Sequence, residues 1–279
     1  MLLAFAPDAG GLRWYSRPRG ALVCRALAEA PRFFRTVEQA LARGEHLAGW
    51  MAYELGAAWT PGVAPRPSGS APLAWFGRFD APRRLTRRSL AVLLAPPDPN
   101  QLDWPEYALD PPVPDLTPAA YGRVLKRLRA WIAAGDTYQV NYTFPLQTRL
   151  IGRAEDLFAR TRREHPVGYA AFLRGGGRTL LSFSPELFFS LRRDRILARP
   201  MKGTAARSGA AGGDRLARAA LARSEKDRAE NLMIVDLLRN ALGRLCRPGS
   251  VRVPSLFRVE AYRSVFQMTS AVAGRLDRR

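Results

Sequence analysis

The stretch from Ala95 to Pro118, APPDPNQLDWPEYALDPPVPDLTP, limits the possible folds of this chain more than any other. Eight of the 22 prolines fall in it. Proline locks φ, lacks an N–H and pushes the residue before it out of helical geometry. A run this dense cannot be a continuous helix or a central strand. It reads as an extended connection. The 279 residues therefore divide into an N-terminal region over 1–100, a proline-rich connection over 101–117 and a second region over 118–279.

The flanks differ in clarity. Before the connection, short apolar runs such as LAVLLA alternate with Gly/Pro turns, and HLAGWMAYELGAAW reads as a strand running into a helix or turn. After it the signals sharpen. Thr117 is an N-cap, with Pro118 at the first helical position. Tyr121, Val124, Leu125, Leu128, Trp131 and Ile132 follow at helical spacing, and Gly135 closes the helix. TYQVNYTFPLQTRL reads as a strand and AEDLFARTRREH as a second helix. GYAAFLR and RTLLSFS form a hairpin around the triple glycine, and PELFFSL and RILARPM form another around Arg193-Asp194. From Arg215 to Leu245 the pattern is helical again, and its second half is apolar almost all round, as in a buried helix. Strands and helices that do not alternate regularly predict an α+β fold.

Composition excludes several classes. The net charge is +20, but the arginines are spread along the chain and the densest cluster, Arg83 to Arg88, has no interleaved aromatics. A nucleic-acid footprint should be a patch or stripe, so no nucleic-acid partner is expected, whereas attraction of a small anion suits the charge. Cys24 and Cys246 are far apart, and His46 and His165 are in no metal spacing. The triple glycine lacks phosphate-loop spacing. No apolar run reaches membrane-spanning length, and the first residues do not read as a signal peptide. A cytoplasmic protein is the expectation.

Only three of the 44 basic side chains are lysine: Lys126, Lys202 and Lys226. Lys202 lies in ARPMKGTAAR. Arginine stays protonated, whereas a desolvated lysine can lose its proton and act as nucleophile or base. The alternative is an ordinary surface lysine. The second hairpin brings a carboxyl into play. With a three-residue loop, Arg193-Asp194-Arg195, Glu186 falls opposite Lys202, Cβ atoms roughly 4.5–5.5 Å apart. A two-residue loop places it opposite Met201 instead, and Pro200 can end the ladder or force a bulge. The pair is either a surface salt bridge, worth about 1 kcal/mol or less, or two groups converging on a substrate. Glu230 shares a helix face with Ile234 and Leu237, so it needs a partner. An arginine or a hard cation such as magnesium would serve, and a single glutamate does not decide between them.

Taken in order, GDTYQVNYT, AAFL, SFSPELFF, RPMKGTAAR, EKDRAENLMIVDLLRN and GSVRVPSLFRVEAYRSVFQMTS resemble the chorismate-utilising enzymes. Within them the likeness is strongest to the aminodeoxychorismate synthase (para-aminobenzoate synthase) component I family, over about Pro118 to Leu276. The resemblance implies an α+β fold of two antiparallel sheets packed as a sandwich with outer helices. It also implies amination of chorismate to 4-amino-4-deoxychorismate for para-aminobenzoate and folate synthesis, a transferase reaction, with ammonia from a glutamine amidotransferase on a separate chain. Lys202 would be the nucleophile at C2, Glu186 the general acid and base, Glu230 a magnesium ligand, and Gly203 and Thr204 would line the substrate site. Anthranilate synthase component I is the nearest other reading. Its members usually carry alanine at the lysine position and a histidine where this chain has Gln267, so Lys202 and Gln267 argue against it. The chain stops at AGRLDRR, ahead of segments that the family places in its C-terminal third, including a second magnesium glutamate. The resemblance therefore also implies an incomplete synthase, inactive by itself, or a non-catalytic remnant.

Overall fold

The computed structural model describes residues 2–6, 11–63, 71–94 and 107–277. They fall into two units, 1–93 with 158–279, and 94–157. In the first, β1 (Leu2–Ala6), β2 (Gly11–Tyr15) and β3 (Gly20–Cys24) precede helix α1 (Ala30–Ala42). Strand β4 (His46–Met51) runs into a short 3-10 helix over Tyr53–Trp59, as the strand-then-turn reading of that stretch expects. Strands β5 (Ala74–Phe79) and β6 (Arg83–Arg84) follow, then α2 (Arg87–Leu94).

The smaller unit contains β7 (Ala108–Leu109), β8 (Val113–Pro114), α3 (Pro118–Ala134), β9 (Leu146–Gln147) and β10 (Leu150–Ile151). Strand β7 pairs with β10 and β8 with β9. Residues 101–106 of the expected connection lie outside the described residues, and from Tyr107 onward it carries β7 and β8. The start and stop of α3 follow the sequence. Thr117 Oγ1 accepts the Ala120 N–H at 3.2 Å, and Gly135 closes the helix at φ 81°. The strand expected over TYQVNYTFPLQTRL does not form: Thr137–Pro145 is irregular, and only β9 and β10 are extended pairs. Tyr142 and Phe144 both pack on Tyr121 of α3, with ring centroids 6.1 and 5.7 Å from it. Pro145 adds a residue with no N–H for a ladder. Ring packing on the helix replaces sheet pairing here.

The chain continues through α4 (Ala154–Glu164), β11 (Tyr169–Gly175), β12 (Arg178–Ser184), β13 (Leu187–Arg192), β14 (Arg195–Arg199) and β15 (Met201–Ala206). Helices α5 (Ala211–Arg223) and α6 (Glu225–Gly243), then β16 (Arg252–Ala261) and β17 (Val265–Arg275), complete it. Every described strand pair is antiparallel. One five-stranded sheet runs β12-β11-β1-β2-β6, and a smaller one runs β3-β5-β4. In the other five-stranded sheet β17 is the spine. Strand β16 lies along one flank of β17, while β15 and β14 follow one another along the other.

This is an α+β fold, as the pattern predicts. Tyr15, Phe79 and Leu173 pack the first sheet against the β3-β5-β4 sheet, and Trp50 and Trp75 stack at 4.9 Å. Gly175 permits this approach, because a Cβ there would meet the Trp75 ring at 2.4 Å. Helix α1 covers the β3-β5-β4 sheet through Phe33, against Cys24, Leu73 and Ala74. Helices α5 and α6 cover the β17 sheet, Leu221 against Phe266 and Met268, Val235 and Leu242 against Ile196 and Val272. Helix α6 is not buried all round, contrary to its apolar pattern. The stripe Asn231, Val235, Leu238 and Leu242 meets the sheet, while Leu232 and Leu237 remain 43% and 63% exposed. One sheet face can bury only one stripe of a helix.

Candidate active site

The hairpin of β13 and β14 decides where Glu186 lies. Arg192 pairs with Arg195, Leu191 with Ile196 and Ser190 with Leu197, so the turn is the two residues Arg193-Asp194. Arg193 takes φ 58°, as such a turn demands of its first residue. The three-residue loop, and with it Glu186 directly opposite Lys202, is therefore not what forms. The register slips by one more residue between Leu187 and Ser190, and Pro200 ends β14. Glu186 sits just before β13. Ser184 Oγ accepts its N–H at 3.2 Å and donates to its carbonyl at 3.1 Å, which fixes the backbone there. Its carboxylate accepts the Met201 N–H at 3.2 Å. Glu186 is thus tied to the first residue of the strand that carries Lys202.

That strand is bulged where the candidate residues lie. Met201 pairs with Thr269 and Thr204 with Gln267, so Lys202 and Gly203 together oppose the single residue Met268. A bulge bends its strand and redirects side chains. Gly203 is needed twice over. Its φ of 98° disfavours any side chain, and a Cβ would lie 3.0 Å from Asp227 Cβ and 3.3 Å from Met268 Cβ. Lys202 is half-buried, and among the described residues its amine has no hydrogen-bond or ion-pair partner. Thr204 Oγ1 donates to Gln267 Oε1 at 3.0 Å. Beyond the strand Arg207 is held in place. Its Nε donates to Asp214 at 2.8 Å and its Nη1 to the Tyr262 carbonyl at 2.8 Å. The Arg207 hydrogen bond holds the Asp214 carboxyl below the usual range.

Helix α6 brings up the remaining groups. Ser224 separates it from α5 and caps it, accepting the Asp227 N–H at 3.2 Å. Glu230 is a third exposed, and its ion pair with Lys226 is long, 3.9 Å, to a lysine that is 83% exposed. Such a pair contributes little. Magnesium commonly takes one or two protein carboxylates and completes its shell with water and substrate oxygens. Glu230, a carboxylate with so weak a partner, fits one such ligand. Among the described residues no three His, Cys, Asp or Glu side chains converge into a preformed cage.

Two residues of the site escaped the sequence reading. Asp227 lies against Gly203. Asn231 is fully buried, and its Nδ2 donates to the carbonyls of Lys202 at 3.2 Å and Met268 at 3.1 Å. A polar residue within the apolar stripe of Val235, Leu238 and Leu242 was the signal available for Asn231. A cavity of about 150 Å³ opens beside this cluster, lined by His165, Pro185, Tyr262, Val265 and Gln267. Burial raises the pKa of the Tyr262 phenol on its wall. A roomier cavity of about 750 Å³, among Arg192, Arg195, Arg252 and Arg275, lies at the far end of β17 and contains none of the candidate residues. The lining of the smaller cavity contains none of them either, so the bulge is the candidate site by its chemistry and not by a cavity.

The fold is that of anthranilate synthase component I from Streptococcus pneumoniae, which superposes over 96% of this chain and 69% of its own with a TM-score of 0.77 at 20% identity. It is an α+β scaffold in which β15, carrying Lys202, packs against helix α6, which carries Asp227, Glu230 and Asn231. The chain belongs to the family of chorismate binding enzymes, whose profile matches residues 21–279. It is 43% identical over 162 residues to aminodeoxychorismate synthase component 1 of Salmonella typhimurium, covering 58% of this chain and 36% of that protein. It is 36% identical over 200 residues to anthranilate synthase component 1 of Streptomyces coelicolor, covering 71% of this chain and 37% of that protein. The matched stretch thus spans little more than a third of either relative. The family that the motifs resemble is the family to which the chain belongs.

Proposed function

We propose that this chain supplies Lys202, Glu186 and Glu230 to a site that, completed by the C-terminal part its relatives carry, aminates chorismate at C4, giving 4-amino-4-deoxychorismate for para-aminobenzoate and folate synthesis, in the cytoplasm and on ammonia supplied by a separate glutamine amidotransferase. The observation that carries the reading is the Lys202 amine, partnerless among the described residues and carried on a glycine-supported bulge. Arginine fills almost every other basic position, and it could not serve as this nucleophile.

The chemistry balances with this chain's own groups. The neutral amine of Lys202 is the attacking form. It adds to C2, the ring double bonds shift, and the C4–O bond breaks. Glu186 gives its proton to the departing hydroxyl, which leaves as water. Ammonia then adds at C4, the double bonds shift back, and the C2–N bond breaks to free Lys202. Glu186 takes up the proton that ammonia loses. Thr204, oriented by Gln267, and Gly203 line the substrate side of the bulge. Magnesium, held by Glu230, would neutralise the substrate's ring carboxylate.

The test is product formation from chorismate, magnesium and ammonium, read through a coupled lyase. It is run on the chain itself and on the chain joined to the remaining C-terminal part of the Salmonella relative. Aminodeoxychorismate that disappears in Lys202→Ala and is not restored by Lys202→Arg is the expected result. Product that survives Lys202→Ala, anthranilate as the product, or no product in either format would overturn the reading.

A further inference from the structure

A β-bulge leaves its extra residue unpaired in the ladder, so something else must satisfy that backbone. At Lys202 the group that does so is a side chain from another element. Asn231 is 0% exposed on the sheet side of α6. A buried amide is costly unless it is bonded. Both Nδ2 hydrogens are used, one on the Lys202 carbonyl at 3.2 Å and one on the Met268 carbonyl at 3.1 Å. Oδ1 accepts from Ser270 Oγ at 2.5 Å. Three bonds fix the amide plane, so its two donors cannot wander from those carbonyls.

The relay continues past Ser270. Its Oγ accepts the N–H of Phe257 at 3.1 Å. Phe257 has φ 57° and lies within the second register shift of β16 against β17, between Ser255 and Arg258. Bulges on both flanks of β17 therefore hang on one amide and one hydroxyl. Glu230 is the residue before Asn231, so the same helical turn is pinned to the peptide of Lys202.

We infer that Asn231, through its bond to the Lys202 carbonyl and its anchor on Ser270, is the positioning residue that sets the direction of the Lys202 amine and the spacing of Glu230 from it. The functional meaning rests on Lys202 being the nucleophile proposed above, whereas the positioning itself does not.

The test needs no substrate. The chain has three lysines, so acylation of each by acetic anhydride can be read from its own peptide by mass spectrometry across a pH series. The measured quantity is the rate at Lys202 relative to Lys126 and Lys226 in the same sample, with a thermal melt alongside. Asn231→Leu removes the donors at similar volume, and Asn231→Asp keeps Oδ1 and removes Nδ2. Val235→Ala, one turn along the same stripe, loosens the packing without touching the Lys202 carbonyl. Both Asn231 variants are expected to change the Lys202 ratio severalfold and to move its pH midpoint. Val235→Ala lowers the melting temperature and leaves the ratio where it was. If the Asn231 variants do not fold, Ser270→Ala, which frees the amide to rotate, should shift the ratio in the same direction. An unchanged ratio in the folded variants, or an equal shift in Val235→Ala, overturns the inference. A shifted ratio in a chain that makes no aminodeoxychorismate would leave the positioning role standing and remove the proposed reaction.

Discussion

At the scale of the residue, the site depends on positions where only one residue type suits the backbone. Gly203 is the clearest. Its φ of 98° strains any side chain, and Asp227, 3.0 Å from where a methyl group would sit, would have to give by a few tenths of an ångström. Gly203→Ala should lower stability by about 1–3 kcal/mol, the usual cost of forcing a side chain into such a conformation. Urea unfolding would read this directly, and an alanine variant as stable as the parent would mean that the bulge is not rigid. Lys202, Glu186 and Glu230 stand out in the sequence as candidates by residue type and pattern, Gly203 and Thr204 only through the resemblance of their motif to the family. Asp227 left no such mark, and Asn231 left only that of a polar residue in the apolar stripe of α6. What both do depends on a bulge and on a helix packed across it, and neither can be read from residue spacing.

At the scale of the element, local chemistry was legible and long-range geometry was not. The cap at Thr117, the glycine stop at Gly135 and the hairpin turn at Gly176-Gly177 formed where the sequence placed them. The segment 137–150 failed as a single strand because Tyr142 and Phe144 pack on α3 instead. The turn at Arg193-Asp194 was ambiguous by one residue, and a slip of one residue changes which side chains face each other. The break between α5 and α6 depends on Ser224, whose side chain starts the helix that carries Asp227, Glu230 and Asn231. Ser224→Ala should cost about 1 kcal/mol, as is typical for loss of an N-cap. It should also raise amide exchange in the first turn of α6 before it affects β17. Unaltered exchange at Asp227 and Arg228 would show that packing alone holds that turn.

At the scale of the whole molecule, the antiparallel α+β class followed from the order of strand and helix signals. The three-way arrangement around β17 did not, because β14 and β15 share one flank only after Pro200 interrupts them. That arrangement brings a strand from mid-chain, the long β17 and helix α6 together at the bulge of Lys202 and Gly203. The central claim is that the amine of Lys202 forms the covalent bond. The most direct measurement is the intact mass of the chain after incubation with chorismate and magnesium but no ammonia, in both assay formats, quenched in acid. Without ammonia the second half of the reaction has no nucleophile, so the adduct should accumulate. The expected result is a species heavier by chorismate less one water, mapped to the peptide containing Lys202 and absent from Lys202→Arg. An adduct on Lys126 or Lys226 instead, or no adduct while chorismate is bound and aminated, would contradict the nucleophile role of Lys202.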